Sequence, residues 1–300
     1  MRILVYHSVN EDKFSLSPHI SPKNFHRQML YLKRYYNILP LEKALFLLER
    51  KSLPPRSLSI TFDDGYRDVF WHAYPVLRLF SIPATIFLSS HLISTKEISW
   101  TEKINQALKK SSLEEIEITM GEKKKYRIGT WEEKKKFAET IEKKLLKFPP
   151  SKRKQIVNEI IEQTGEPERE RIMLSWQEVK EMKESGLLRF GSHSATHEVL
   201  SQLSERDLER EIKESKEVIE NRLGERIEIF SYPSADFNDK VKEKVKSAGY
   251  QYALDVKGEK NYPDFDHFAI KRIHIEDSPL WVFAAEVQGI LQFLRRRIVQ

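Results

Sequence analysis

Cysteine is absent from this chain of 300 residues. Its absence excludes disulfide bonds, thiolate metal sites and cysteine nucleophiles, so any transition metal has to be held by His, Asp or Glu. Long apolar runs are also absent. No stretch approaches the roughly 18 apolar residues of a membrane span, and the apolar run Ile3–Tyr6 is too short for the core of a signal peptide. From these absences we expect a cytoplasmic protein, or one that binds peripherally at a membrane.

Positive charge is concentrated in one segment. The formal net charge is +6, yet residues 103–154 contain sixteen Lys or Arg against eight Glu and no Asp, a local excess of +8. The lysine runs at 123–125 and 134–136 alternate with glutamates and lack clustered stacking aromatics, which favours a solvated helical face over a nucleic-acid site. We therefore predict no nucleic-acid partner and a basic, helical insertion at about residues 95–174.

Strand-like and helix-like segments alternate on both sides of this insertion. Apolar runs such as Ile3–Tyr6 and Leu58–Phe62 have the length and composition of buried strands, and Ser175 with Glu178 forms a capping box that begins a helix. Such alternation favours an α/β fold with a parallel sheet or barrel. Since 40% of the residues are hydrophobic, a sizeable core is available, and we predict a single domain over residues 1–300.

Two adjacent carboxylates follow one of the predicted strands. Leu58–Phe62 leads directly into Asp63, Asp64 and Gly65, and reactive groups of parallel α/β folds collect where strands end. One aspartate could bind a cation while the other takes up a proton. The alternative is an Asp-Asp-Gly turn whose carboxylates only cap backbone N–H groups.

Two histidines follow another predicted strand. His193 and His197 come after Leu187–Phe190, and side chains four residues apart face the same way if the segment is helical. Either histidine alone would most simply be a core or surface residue. Two histidines and one carboxylate leave a coordination position open, which is typical of a catalytic divalent metal site. We expect zinc there, with nickel, cobalt or iron as alternatives.

These motifs together resemble those of a known family. Thr61–Gly65, followed by His193-Ser-x-x-His197, is similar to the first two motifs of the polysaccharide deacetylases (the NodB-homology domain, carbohydrate esterase family 4). The family's third motif is usually Arg-x-Pro-Tyr, whereas residues 231–234 read Ser-Tyr-Pro-Ser. The resemblance implies an irregular (β/α) barrel of about seven parallel strands, which carries the helical insertion.

The resemblance also implies roles for individual residues. Asp64, with the two histidines, would hold the metal. Asp63 would be the general base that removes a proton from a metal-activated water. Tyr232 and a backbone N–H near Ser234 would contact the substrate and its oxyanion. Because the third-motif Arg is missing, Arg272 is the candidate that orients Asp63, although a strand-end arginine in solvent is the alternative.

The general acid has two candidates. The opening stretch Leu4–Val9 resembles the circularly permuted branch that contains poly-N-acetylglucosamine de-N-acetylases. In that branch the strand with the acid histidine comes first, which implies His7. His274 is the rival, because it would be the natural choice in the unpermuted order.

The predicted function is metal-dependent removal of N-acetyl groups from N-acetylhexosamine in a glycan or glycoconjugate. The alternatives are hydrolysis of a small non-glycan amide on the same scaffold, and a sugar-binding protein with an inactive site. Trp100 and Trp131 are candidates for stacking on a sugar. The terminal helix, predicted from Ser278 to about Arg297, has an apolar stripe that most simply packs against the barrel. The basic residues at its end raise the alternative of peripheral membrane contact through residues 293–300 and, with it, a lipid-linked sugar as substrate.

Overall fold

The computed structural model describes residues 1–12, 15–167, 170–292 and 294. Twelve strands lie in this part of the chain, and eight of them belong to one sheet. The strands are, in chain order, β1 (Arg2–Tyr6), β2 (Ser8–Val9), β3 (His19–Ile20), β4 (Asn37–Ile38), β5 (Ser57–Phe62), β6 (Ala84–Leu88), β7 (Glu115–Met120), β8 (Glu122–Arg127), β9 (Leu188–Ser192), β10 (Ile229–Ser231), β11 (Tyr252–Leu254) and β12 (Ile273–His274).

Seven strands of the large sheet lie side by side in the order β11-β10-β9-β6-β5-β1-β12, and β4 pairs with the start of β5. Every pairing within this sheet is parallel. The sheet curls into a half-barrel, and an isolated parallel bridge between Leu254 and Ile270 links β11 to the segment before β12. The prediction of an irregular barrel of about seven parallel strands is therefore confirmed.

Ten α-helices lie in the described chain, and they alternate with the strands of the barrel. They are α1 (Pro22–Tyr35), α2 (Leu41–Glu49), α3 (Tyr74–Phe80), α4 (Trp100–Lys110), α5 (Trp131–Leu145), α6 (Pro150–Thr164), α7 (Trp176–Glu184), α8 (Glu205–Leu223), α9 (Asp239–Ser247) and α10 (Leu280–Gln288). Local signals explain where several begin. Ser21 caps α1 with Pro22 in its first turn, and the predicted capping box of Ser175 and Glu178 begins α7.

Two helices differ from the sequence prediction. The pattern of residues 66–80 predicts one helix kinked at Pro75, but the structure has a π-helical turn over Val69–Ala73 directly before α3. Proline has no N–H to donate, which explains why the regular α-helical bonding is interrupted there. The terminal helix is predicted to run from Ser278 to about Arg297, but α10 ends at Gln288, where Gly289 adopts the left-handed conformation with φ +84° and interrupts the helix. Helical residues resume at 290–292 and 294, and the rest of the predicted helix lies outside the described residues.

The core of the barrel is formed by both faces of its strands. All six residues of β5 are buried, as expected for a parallel strand with helices on both sides. Beside it, the rings of Tyr6, Phe25 and Phe62 pack with centroids 5.5 to 5.9 Å apart. This packing holds the end of β5, and hence the residue that follows it, in a fixed position.

The predicted insertion lies between two neighbouring strands. β6 and β9 pair from Ala84–Leu188 to Leu88–Ser192, so α4, the β7–β8 hairpin, α5 and α6 all belong to one crossover between them. These elements enclose their own apolar cluster, which includes Ile104, Ile118 and Ile141. The hairpin at residues 115–128 is as predicted. The division into one domain with an insertion stays a prediction that these contacts favour.

Five strands of the sheet end at one edge in residues with polar or titratable side chains. His7 follows β1, Asp63 follows β5 and His193 follows β9, while Ser231 and His274 are the last residues of β10 and β12. Since all these strands are parallel, their carboxyl ends face the same cavity. Within the described residues, no helix has both the length and the apolar character needed to cross a membrane.

Candidate active site

A cavity of about 690 Å³ opens at this edge of the barrel. Eight of the nine predicted site residues line it: His7, Asp63, Asp64, His193, His197, Tyr232, Ser234 and His274. Arg272 is absent from the lining, since it lies behind Asp63 with no exposed surface. The structure therefore brings together residues that are up to 267 positions apart in sequence, from His7 to His274.

Asp63 and Arg272 form a buried bidentate ion pair. Arg272 Nη1 donates to Asp63 Oδ1 and Nη2 donates to Oδ2, each at 2.7 Å. Both side chains are almost completely buried, at 0% and 3% exposure. A guanidinium fork bound to both carboxylate oxygens fixes the orientation of the carboxylate, which a single hydrogen bond would not do.

The remaining donors of Arg272 are also used. Nη2 donates to Ser231 Oγ at 2.8 Å, Nη1 to Thr61 Oγ1 at 3.2 Å and Nε to the Asp255 carbonyl at 3.3 Å. Ser231 stands where the third motif of the resembling family has arginine, and its Oγ also donates to Asp63 Oδ2 at 3.2 Å. The guanidinium of Arg272, which directly precedes β12, thus occupies the space beside the small side chain of Ser231.

The ion pair sets the protonation of Asp63. Burial alone would raise the pKa of this carboxyl, but the charge and hydrogen bonds of Arg272, together with His193 and His7, outweigh the burial and lower the pKa below its ordinary value. Asp63 is therefore ionised at neutral pH and available to accept a proton.

Asp64, His193 and His197 form a compact group of three ligand-type side chains. Their ligand atoms all lie within 4.8 Å of one another. Asp64 Oδ1 is 3.3 Å from His193 Nε2 and 3.2 Å from His197 Nε2. Two atoms bound at about 2.0–2.1 Å to one tetrahedral ion lie roughly 3.3 Å apart, so both spacings fit a shared ion of the size of Zn²⁺.

The hydrogen bonds around this group also fit a metal. His193 Nδ1 donates to the Ser231 carbonyl at 2.8 Å, which leaves the Nε2 lone pair directed at Asp64. Among the described residues, no hydrogen bond satisfies the buried Asp64 Oδ1. A buried carboxylate oxygen without a partner is costly unless a cation binds it, so these three residues could hold a divalent metal.

Proton affinities in the group depend on the same contacts. Burial alone would raise the pKa of Asp64, but the neighbouring imidazoles of His193 and His197 hold its pKa well below the ordinary value. Burial would lower the pKa of His197, yet the Asp64 carboxylate outweighs this and raises it. Since a histidine ligand must be neutral to bind a metal, protons and metal compete for His197.

The local backbone that presents these ligands is left-handed at several positions. Asp64 has φ +71° and Gly65 has φ +79°. A Cβ added to Gly65 would lie 3.0 Å from Leu88 Cδ2, so the position has both a conformational and a steric need for glycine. Ser194 and His197 also have positive φ, at +63° and +60°.

His193 and His197 are consequently held by a loop. The spacing of four residues suggested a helix for this segment, and that prediction is wrong. Positive φ at two of five consecutive residues is incompatible with a right-handed helix. The two imidazoles nevertheless meet, with ring centroids 5.0 Å apart, because the loop folds back on itself.

Sequence reasoning missed the residue that fixes this loop. Glu211 on α8 is 2% exposed and accepts hydrogen bonds from the backbone N–H groups of Ala195 and Thr196 at 2.9 and 2.8 Å. Thr196 Oγ1 donates to its other oxygen at 2.6 Å. The available signal was a charged residue on the apolar face of α8, beside Leu208 and Ile212.

His7 and His274 lie side by side at the ends of adjacent strands. Their ring centroids are 5.1 Å apart and their planes are inclined by 63°. Burial lowers the pKa of His274 to about 4, helped by the neighbouring His7. Burial also lowers the pKa of His7, but the carboxylates of Asp64 and Asp63 oppose this. The two candidates for the general acid therefore share one wall of the cavity and differ in their proton affinity.

Tyr232 and Ser234 differ in their freedom to contact a ligand. Tyr232 is 1% exposed, and its hydroxyl already donates to the Phe268 carbonyl at 3.0 Å while its ring stacks on Phe237. Ser234 is exposed at the cavity with φ +55°. Direct contact with a substrate is thus easier for Ser234 than for the hydroxyl of Tyr232.

The insertion completes the cavity wall. Thr101 and Asn105 from α4, with Lys135, Glu139 and Glu142 from α5, line the same cavity. Neither tryptophan considered for sugar stacking is among the lining residues. Trp100 lies in the apolar cluster of the insertion and is 9% exposed, so the stacking role considered for it is wrong.

The fold and this site define a class of irregular (β/α)-barrel proteins whose cavity holds a group suited to a metal. The chain belongs to the polysaccharide deacetylase family, because residues 50–253 match the sequence pattern of that family. The enzymes of this family remove acyl groups by hydrolysis and depend on a metal, and the Asp-His-His group is the one that could bind it here. The family resemblance drawn from the sequence motifs is confirmed.

Individual relatives support the same assignment. The chain is 21% identical over 269 residues to a poly-beta-1,6-N-acetyl-D-glucosamine N-deacetylase of Staphylococcus aureus (strain MSSA476), covering 86% of this chain and 68% of that protein. Among solved structures it is similar to the Streptococcus pyogenes deacetylase PplD in complex with acetate, with TM-score 0.64, 20% identity and coverage of 97% and 96% of the two chains. It is also similar to IcaB from Ammonifex degensii, with TM-score 0.63, 19% identity and 96% coverage of both chains. At these identities the two structures establish the fold.

Proposed function

We propose that this protein is a metal-dependent hydrolase that removes N-acetyl groups from N-acetylhexosamine residues of a glycan or glycoconjugate. The observation that carries the proposal is the placement of a metal-type group and a buried Asp–Arg pair in one cavity of about 690 Å³. Family membership and the S. aureus relative named as an N-deacetylase of poly-N-acetylglucosamine support the substrate class.

Asp64, His193 and His197 are the proposed metal ligands. A divalent ion bound there would lower the pKa of a coordinated water and polarise the amide carbonyl. Zinc is the first choice because its preferred ligands and distances match this group, and nickel, cobalt or iron are the alternatives. Because the three residues leave coordination positions open, the site suits catalysis better than a purely structural role.

Asp63 is the proposed general base. Its carboxylate is ionised, directly precedes the ligand Asp64 in the chain and faces the cavity, while Arg272 fixes its orientation. It would accept the proton that the attacking water loses. Arg272 and Ser231 position this base from behind and do not contact the substrate.

His7 is the proposed general acid, which donates a proton to the leaving amine. Burial lowers the pKa of its imidazole, but the nearby carboxylates of Asp64 and Asp63 oppose this and favour the protonated form. His274 remains the alternative, but with a pKa of about 4 it is neutral across the neutral range. The oxyanion would be stabilised by a backbone N–H near Ser234, and Tyr232 would shape the cavity through its ring.

The alternatives have less support. Hydrolysis of a small non-glycan amide needs much less space than the cavity offers. A sugar-binding protein with an inactive site would not need a buried, oriented base. The proposal leaves open whether the glycan is a lipid-linked sugar and whether the protein binds peripherally to a membrane. The membrane contact predicted for residues 293–300 lies outside the described residues, apart from Leu294.

Acetate release from a panel of N-acetylated glycans, measured with and without a chelator, tests the function. We expect release from N-acetylhexosamine oligomers, its loss on chelation and its return on addition of zinc. Asp63→Asn serves as the matched inactive variant and should still bind the metal. Equal acetate release by the wild type and Asp63→Asn, or release from small amides alone, would contradict the proposal.

A further inference from the structure

One face of helix α5 is directed into the catalytic cavity. Lys135, Glu139 and Glu142 all line it, and their spacing of four and three residues places them on one side of the helix. In the described structure no ion pair joins Lys135 to Glu139 or Glu142. The insertion thus contributes two carboxylates to a site whose metal group lies on the barrel.

The rest of the cavity rim is also acidic. Glu276 and Asp277 line the cavity from the segment after β12. Apart from the metal group and the neutral Asp63–Arg272 pair, the charged lining residues are four carboxylates and one lysine. The whole chain has a formal charge of +6, so the negative cavity is a local feature and not a consequence of overall composition. Such a cavity concentrates cationic ligands.

Asn105 provides an independent sign that a hydrogen-bond donor belongs at this wall. Its side chain lines the cavity and is 6% exposed. Nδ2 donates to Ser17 Oγ at 3.1 Å, whereas Oδ1 has no partner among the described residues. A buried amide oxygen without a donor is destabilising, and a donor group of a ligand would satisfy it.

Glu142 is sensitive to charge at this position. Burial and the nearby carboxylates of Glu102 and Glu139 together raise its pKa to about 7, while His197 acts in the opposite direction. A cation bound beside Glu142 would lower this pKa and so release a proton.

From this wall we infer that the enzyme binds a hexosamine with a free, protonated amine next to the acetylated residue on which it acts. Glu139, Glu142 and the Asn105 amide would accept hydrogen bonds from that ammonium group, which carries three donors and no acceptor. The inference rests on the proposed function for the identity of the ligand. Since each deacetylation generates such an amine, the preferred ligand is a partially de-N-acetylated glycan.

Binding measurements test this inference without requiring turnover. Calorimetric titration of the full chain with glucosamine tetramer and with N-acetylglucosamine tetramer, at low ionic strength and neutral pH, gives two dissociation constants. We expect the amine form to bind about fivefold to tenfold more tightly, as a partly buried charge pair allows. Added salt should reduce the difference, since it screens the charges.

Variants that remove the same charge at different positions show which residues cause the preference for the amine form. The double variant Glu139→Gln/Glu142→Gln should lose most of the difference in affinity. The control Glu132→Gln/Glu162→Gln removes the same charge from exposed positions of α5 and α6 outside the cavity lining, and it should retain the difference. Equal binding of both tetramers by the wild type, or a difference that survives in the Glu139/Glu142 variant, would overturn the inference.

Acetate release separates this inference from the proposed function. If neither tetramer nor a mixed oligomer yields acetate while the amine preference persists, the proposed reaction fails and the amine site stands. If acetate is released but the amine preference is missing, the reaction stands and the amine site fails.

Discussion

At the scale of single residues, the orientation of Asp63 depends on one buried guanidinium. Arg272 uses both Nη atoms on the carboxylate, which an ammonium group cannot reproduce in the same geometry. Arg272→Lys should therefore lower kcat by about 10²-fold or more, through loss of an oriented general base.

The same substitution has a pH signature. Because the hydrogen bonds of Arg272 help to lower the pKa of Asp63, their loss in the lysine variant should raise that pKa and move the acidic limb of the kcat/KM profile to higher pH. Arg189→Lys, on the exposed side of β9, is the matched control and should leave the profile unchanged. An acidic limb that stays in place in the Arg272 variant would refute this account of Arg272.

The two histidines can be separated by the same kind of comparison. We expect His7→Gln to reduce kcat by roughly 10²–10⁴-fold, the usual size of a general-acid contribution. His274→Gln should cost less than about tenfold, since an imidazole with a pKa near 4 is unprotonated at neutral pH. Melting curves of both variants check that neither buried substitution unfolds the barrel. The opposite order of effects would make His274 the acid.

Glu211 offers a test of how the metal ligands are held. Its carboxylate fixes the loop between His193 and His197 without touching either imidazole, so Glu211→Gln should weaken Zn²⁺ affinity by about tenfold or more, as outer-shell changes commonly do. Competition with a chelator of known affinity measures this directly. Glu214→Gln, more exposed on the same helix, is the control, and equal affinities in the two variants would show that the loop does not need Glu211.

At the scale of elements, the sequence supplied the strands and the capped helices but could not supply the loops. Alternating apolar runs and capping residues predicted β5, α7 and α8, because these signals are local. The loop that carries His197 depends on Glu211, which lies fourteen positions later, so no local pattern reveals its left-handed turns. Arg272 could be proposed as a partner of Asp63 only by elimination, since the contact spans 209 residues.

Helix α7 provides a prediction about stability and pH. Glu178 accepts hydrogen bonds from Ser175 in the capping box, and it pairs with Arg171 and Arg67. Burial would raise its pKa, but these partners lower it to about 2. A carboxyl with a folded-state pKa below its unfolded value of 4.5 stabilises the fold above that pH. The contribution disappears as the pH falls toward 2.

Glu178→Gln should therefore lower the free energy of unfolding by about 1–3 kcal/mol at pH 7, the range for hydrogen bonds to a charged group. The difference between wild type and variant should shrink steadily below about pH 4.5. Urea unfolding at pH 7 and at pH 3 measures both values. Glu181→Gln, on the exposed face of the same helix, should show no such pH dependence, and a constant difference for Glu178→Gln would refute the ion-pair explanation.

At the scale of the whole molecule, barrel and insertion have different tasks. The barrel places the metal group, the base and both histidines at the ends of its strands, while α4 and α5 of the insertion close one side of the cavity. Contacts such as that between Arg153 and Glu198 join the two parts. Under the proposed function, the barrel would carry the chemistry and the insertion would contact the substrate.

The ends of the insertion meet, which makes its removal a practical test. Ser94 N–H donates to the Leu174 carbonyl at 2.8 Å, and Trp176 N–H donates to Ser94 Oγ at 2.8 Å. A short glycine-serine linker can therefore replace residues 97–171 without stretching the barrel. We expect the shortened protein to unfold cooperatively and to bind Zn²⁺ with an affinity within about tenfold of the full chain, because its ligands all lie on the barrel. Its melting temperature should fall by several degrees, since Val199 loses its apolar partners in the insertion. A shortened chain that binds no zinc and shows no cooperative transition would mean that the insertion is part of the folding core.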